Sequence, residues 1–113
     1  MAIITVLAAL ATVGARNAVT LSREATLKED LFRMRDAIDQ YYADKGKYPA
    51  SLEALVEEGY LRKMPNDPMT NAADWEQVPA ETDPDNPVES PGVFDVRSAS
   101  TQLSLAGTPY NEW

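Results

Sequence analysis

Apolar and polar positions divide the chain near residue 15 and again at Gly46. Met1 to Ala15 carries no charge, and only Thr5, Thr12 and Gly14 interrupt it as weakly polar or small residues. From Leu21 to Tyr42 charges appear, yet an apolar stripe persists. Leu27, Leu31, Met34, Ile38 and Tyr41 recur at steps of four, three, four and three. Side chains at that spacing share one face of a helix and cannot share one face of a strand. Glu24 with Lys28, Glu29 with Arg33, and Arg35 with Asp39 are i,i+4 pairs of opposite charge that add a little helical stability. No proline occurs before Pro49. The pattern predicts one helix over residues 1 to about 45, roughly 65 Å long at ~1.5 Å per residue. Its first part has no charged face, so something other than this chain's small core must cover it.

Beyond the helix the pattern shortens. Gly46 is placed to stop the helix, with Lys45 before it and Pro49 after it. Ser51 is the expected N-cap of a short helix, Leu52 to Glu58, with Leu52, Leu55 and Val56 buried and Gly59 ending it. Arg62 to Asn71 has turn chemistry, Pro65 and Pro68 bracketing Asn66-Asp67, so Asp67 is read as a turn-forming aspartate. Asp74 to Val78 is a candidate strand. Pro79 to Gly92 holds four prolines and four acids and no basic residue, which predicts a solvated acidic loop. Val93 to Arg97 alternates as a strand, with Val93 and Asp95 on one side and Phe94 and Val96 on the other. Leu103 and Leu105 suggest a final strand, and Tyr110 and Trp113 a docked tail. The expected fold is α+β: a long N-terminal helix packed on a small antiparallel sheet. Phe94, Val96, Leu103 and Leu105 are expected to cover the stripe. Residues 1–20 form the apolar part of the helix and 21–113 the globular head.

Charge narrows the functional classes. Of 113 residues, 1–47 hold seven basic and six acidic side chains, and 48–113 hold three basic and twelve acidic. So acidic a head repels nucleic acid and anionic surfaces. Arg33, Arg35, Lys45 and Lys47 are interleaved with acids and are read as a solvated helix surface. With no cysteine and no histidine, the usual metal ligands, thiol chemistry and the common proton shuttle are missing. There is no phosphate-binding glycine loop. The chain is read as a structural protein, not an enzyme, with no catalytic residue and no cofactor. Three readings of Met1 to Ala15 stay open on residues alone. It suits the apolar centre of a secretory signal, a buried core helix, or a membrane helix whose beginning lies outside this chain.

Several segments together resemble type IV pilin-like proteins, specifically the major pseudopilins of bacterial type II secretion systems. Met1 to Ala11 resembles the latter part of that family's membrane helix. Asp44-Lys45-Gly46-Lys47-Tyr48-Pro49 resembles its helix end and Gly-x-Tyr-Pro turn. Pro65-Asn66-Asp67-Pro68 resembles its Asp-Pro turn. Phe94 to Ser98 and Gly107 to Trp113 resemble its last strand and tail. The resemblance implies a subunit of a helical filament that supports export of folded proteins. It would be held by one span in the inner membrane with its head in the periplasm. Implied partners are other copies of itself, minor pseudopilins, the inner-membrane secretion platform, and a prepilin peptidase acting on a precursor whose N terminus is then methylated.

That family's Phe-Thr-Leu-Ile-Glu-like start is not in this sequence, and about nine mature residues would precede Met1. Ile3, Ile4, Val6, Leu7, Leu10 and Val13 are the expected filament or membrane contacts. Leu27, Leu31, Met34, Ile38 and Tyr41 are the expected contacts of helix with sheet. The family's calcium loop usually includes acidic side chains, but Ser98 to Gly107 has none. Asp95 is the nearest acid and the candidate calcium ligand, and the local reading expects no calcium site. The alternatives are a type IV pilus subunit, or a secreted acidic binding module with a truncated signal peptide.

Overall fold

A helix α1, Ala2–Lys45, runs through the molecule and sets its dimensions of 72 × 29 × 20 Å. The computed structural model describes the backbone of residues 2–81, 85 and 91–113, and the side chains of these apart from 2–13 and 15. The sequence-predicted filament contacts Ile3, Ile4, Val6, Leu7, Leu10 and Val13 therefore lie outside the described side chains. After α1 come α2, Leu52–Glu57, then β1, Glu76–Pro79, and β2, Val93–Arg97, which pair antiparallel, and a closing 3-10 turn, Tyr110–Glu112. The architecture is α+β: one long helix on a small two-stranded antiparallel sheet. Among the described residues no helix is long and apolar enough to cross a membrane.

The core forms where the helical stripe meets the sheet and α2. Leu27, Leu31, Met34, Ala37, Ile38 and Tyr41 are buried on α1. Leu52, Leu55, Trp75, Val93, Val96 and Tyr110 complete the same cluster. Gly46 ends α1 in a left-handed conformation, φ 71°, that a Cβ would disfavour. Its N–H donates to the Tyr42 carbonyl at 2.8 Å. Ser51 caps α2, its hydroxyl accepting from the Ala54 N–H. Leu52 and Leu55 are buried and Val56 half-buried. Tyr60 donates its hydroxyl to Asp44 at 2.7 Å, tying the segment after α2 back to α1. That bond, with some desolvation and the Asp44 charge, pushes the Tyr60 phenol up to about 12.

Two expectations about the sheet are corrected. Val93 and Val96 both point inward, while Phe94 is 53% exposed. Strict alternation would have separated Val93 from Val96. The pairing passes from Val78↔Asp95 to Pro79↔Val93, so Phe94 is an extra residue in a bulge. A bulge shifts the facing of every residue beyond it. The bulge lies next to Gly92, which meets the turn after α1 so closely that a Cβ on it would stand 2.8 Å from the Tyr48 carbonyl oxygen. Val93 N–H donates to the Pro49 carbonyl at 2.7 Å there.

The second correction concerns Leu103 and Leu105, which do not form a covering strand. They are 64% and 49% exposed, and only an isolated bridge joins Leu103 to Pro109. Ser98, Ser100 and Ser104 face inward instead. With a period of two, turning the serines inward sends the leucines out.

Candidate functional site

The C-terminal loop, residues 98–113, lies along α1 and is held by polar groups that come from far away in sequence. Glu24 sits three residues before Leu27, on the same helical face, and is 7% exposed. Its Oε1 accepts from the Leu105 N–H at 2.9 Å and from the Tyr110 hydroxyl at 2.9 Å. Burial, then this bond to Glu24, raises the Tyr110 phenol above its ordinary value. The expected Glu24–Lys28 pair is not formed; Lys28 Nζ instead lies 5.0 Å from the Trp113 ring centre. An ammonium over an indole face is attracted by the ring's negative quadrupole.

Arg35 makes the second tie, and the solvated reading of this arginine is also corrected. Its Nε donates to Asp95 Oδ1 at 2.8 Å, and its Nη2 donates to the carbonyl oxygens of Val96 at 3.0 Å and Trp113 at 2.6 Å. One planar guanidinium thus joins helix, strand and tail, a use that suits its fixed fork of donors. The expected Arg35–Asp39 pair gives way to it, and only Glu29–Arg33 forms as predicted, at 3.0 Å between exposed groups. Lys45 pairs with Glu58 at 3.3 Å.

Asp67 makes the third tie. It is fully buried. Its Oδ1 accepts from the Met69 N–H at 2.8 Å, closing an Asx-type turn of the kind the sequence suggests. Its Oδ2 accepts from the Ser98 hydroxyl, whose oxygen in turn accepts from the Ser100 N–H at 3.1 Å. Ser104 and Thr108 close the rest of the loop, their hydroxyls 2.8 Å apart. Trp113 Nε1 donates to Thr108 Oγ1 at 2.9 Å.

The candidate calcium ligand Asp95 is therefore occupied by Arg35 and by the Val96 N–H, which donates to the same oxygen at 2.8 Å. Among the described residues no three acids are grouped to hold a metal. A guanidinium against the carboxylate opposes a divalent cation at the same place. Millimolar calcium is expected to leave the melting temperature unchanged, since only a ligand bound to the native state raises it. A saturable rise of several degrees, lost in Asp95→Ala, would overturn this.

Sequence reasoning missed Glu24, Arg35 and the inward serines. A signal for Glu24 was present: an acid one step before the apolar stripe and in register with it. Arg35 has no such signature, because its partners lie sixty or more residues away. Glu24→Ala is expected to cost about 1–3 kcal/mol, leaving the Leu105 N–H and Tyr110 hydroxyl without their acceptor. Glu24→Gln retains an acceptor oxygen and should lose less. Thermal melts monitored by tryptophan emission test this ranking, and equal losses would mean the bonds to Oε1 are unimportant. The Tyr110 contribution has a definite sign with pH. The folded chain holds this proton more tightly, so its stabilisation is complete below the ordinary value of 10.0 and is lost as pH rises through the raised value.

Comparison with known proteins finds no family model that matches the chain, and neither a curated relative nor a solved structure matches it.

Proposed function

We propose that this chain is a structural subunit of a type II secretion pseudopilus, stored in the inner membrane and assembled into a helical filament with its head in the periplasm. The observation that carries the reading is the unequal use of α1. The helix starts at Ala2, yet the first buried side chain among those described on it is Glu24. Before Glu24 the described side chains, Gly14 and Arg16 to Arg23, are exposed or at most half-buried, so this stretch of the helix takes no part in the head's core. The first fifteen residues carry no charge. A helix satisfies its backbone hydrogen bonds internally, so such a segment tolerates lipid. Once extracted, its apolar surface is removed from water by packing against the same segment of neighbours. Ala8, Ala9, Ala11 and Gly14 let neighbouring backbones approach closely.

A head closed by hydrogen-bonded loops suits this structural role, and twelve acids against three basic residues in 48–113 favour solubility on the filament exterior. Other copies, minor pseudopilins, the secretion platform and a prepilin peptidase are the partners this role entails.

The test starts with the reading frame upstream of Met1, inspected for a basic leader and a Phe-Thr-Leu-Ile-Glu-like start. Cells expressing that whole frame are fractionated and the mature N terminus is sequenced. Membrane association, prepilin-peptidase cleavage, self-crosslinking through the first helix and loss of export on deletion are the expected results. Signal cleavage near Ala15 with a soluble monomer would defeat the reading. Lost pili with normal export would select a type IV pilus subunit instead.

A further inference from the structure

Glu24 marks the end of the head nearest the uncharged run of α1, and the C-terminal loop closes there through the Leu105 N–H and the Tyr110 hydroxyl. Leu103 and Leu105 nevertheless stand in water, 64% and 49% exposed. Leu21, one turn before Glu24 and on its side of the helix, is 57% exposed. With Val19 these are the exposed large aliphatic side chains among the described residues, and all of them belong to this one end. The exposed Phe32, Tyr42 and Phe94 are aromatic and lie elsewhere. The bonds that close the loop come from its backbone and its serines, so the fold itself does not call for leucine at 103 or 105.

Charge changes at the same place. Residues 98–111 contain no charged side chain, although the rest of 48–113 holds twelve acids. Residues 1–23 contain Arg16 and Arg23 and no acid, and both arginines are exposed. Glu24 is buried under the loop, and Glu29 is paired with Arg33. Glu112 stands just past the loop, with Lys28 over the adjacent Trp113 ring. Exposed leucines beside arginines suit a lipid surface, where aliphatic groups enter the boundary of headgroups and acyl chains and arginines meet lipid phosphates. We infer that this end of the head, through Leu21, Leu103 and Leu105 with Arg16 and Arg23, rests on the surface of a bilayer that contains anionic lipid. The inference rests on the membrane-held state proposed above and gives the head a fixed seat in it.

Continuity favours lipid over another occupant. The uncharged run of α1 leads directly into this end, so whatever surrounds that run borders the loop. From Arg16 to Glu24 is ~12 Å along the helix, and a headgroup layer is itself ~5–8 Å thick. A tilt of the usual ~20° toward the loop closes much of the difference, and Arg16 reaches the phosphates by extending its side chain. Two copies meeting through this end would instead set Arg16 and Arg23 against the same arginines. The acidic remainder of the head is repelled by anionic lipid, which leaves this end as the one that approaches.

The lack of native cysteine makes labelling specific. Ala106→Cys is exposed beside Leu105, and Ala43→Cys is exposed ~28 Å beyond Glu24 on the same helix. Both leave every leucine and every charge in place. Full-length chains labelled there with an environment-sensitive fluorophore are reconstituted into vesicles of phosphatidylcholine and phosphatidylglycerol. Lipid carrying a nitroxide near the headgroup is expected to quench the label at 106 several-fold more than the label at 43. Leu103→Ser/Leu105→Ser should bring the two sites level without lowering the melting temperature, and omitting phosphatidylglycerol should weaken the quenching at 106. Equal quenching at the two sites would overturn the inference, as would indifference to the leucine exchange or to phosphatidylglycerol. A blue shift at 106 that grows with the protein-to-lipid ratio, without nitroxide quenching, would assign the patch to a second copy and overturn it too. Labelled Leu10→Cys with a nitroxide deep in the acyl chains reports on the first helix. If Leu10→Cys is quenched while the label at 106 is not, this inference falls and the membrane-held reading stands. If neither is quenched, both fall.

Discussion

Ile38→Ala and Leu31→Ala are each expected to destabilise the head by about 2–5 kcal/mol, the cost of removing buried methyl groups and leaving a cavity. Ile38 is fully buried and Leu31 is 2% exposed, at the centre of the contact between α1, α2 and β2. A small domain has only ~5–15 kcal/mol of net stability, so one such change consumes a large share. Asp36→Ala is the matched control on the same helix. Its carboxylate is exposed and, among the described residues, accepts a bond from Gln40 one turn on, a contact worth a few tenths of a kcal/mol. Urea denaturation of a fragment beginning near Thr20 gives the ranking without the apolar segment. Losses of similar size at Ile38 and Asp36 would contradict the assigned core.

Asp67→Ala is expected to cost about 2–4 kcal/mol, through a polar rather than an apolar route. It leaves the Met69 N–H and the Ser98 hydroxyl without their acceptor, and each buried unsatisfied group costs about 1–3 kcal/mol. It also frees Ser98, which positions Ser100, so the effect should spread into the C-terminal loop. Amide hydrogen exchange at Ser100 and Gln102 is expected to accelerate while exchange in the middle of α1 changes far less. Asp67→Asn keeps one carbonyl oxygen for Met69 and can still hydrogen-bond Ser98, so it should fall between wild type and alanine. A variant at Asp67→Ala within about 0.5 kcal/mol of wild type, the range of an ordinary surface change, would show that this buried bond carries no net stability.

Together these two changes separate the two means by which the head closes. The stripe packs apolar surface without directional demands, while the loop is closed by bonds from Glu24, Arg35 and Asp67. The resemblance leads one to look for calcium in that loop. Side chains from the helix and the preceding turn already engage its N–H and hydroxyl groups, and an arginine occupies the nearest acid.

The sequence by itself determined what depends on short spacings. The 3,4 recurrence from Leu27 to Tyr41 specifies a helical face, Gly46 its end, and Ser51 the start of α2, because each acts through neighbours within one or two turns. The acidic bias of the head and the uncharged first segment are likewise properties of composition. Tertiary structure decided the rest. The facing of Val93, Phe94 and Val96 depended on a bulge at Phe94, next to the place where Gly92 meets the turn at Tyr48 and Pro49, a contact between segments over forty residues apart. Leu103 and Leu105 turned outward because Ser98 met Asp67 and Ser104 met Thr108, so hydrogen bonding set the loop's register where apolar alternation alone predicted the reverse. Glu24 and Arg35 left their expected helical neighbours for the tail and strand. The buried Glu24 must find whichever partner the fold brings within reach, the half-exposed Arg35 gains three acceptors at once, and an exposed pair worth a few tenths of a kcal/mol cannot hold either back.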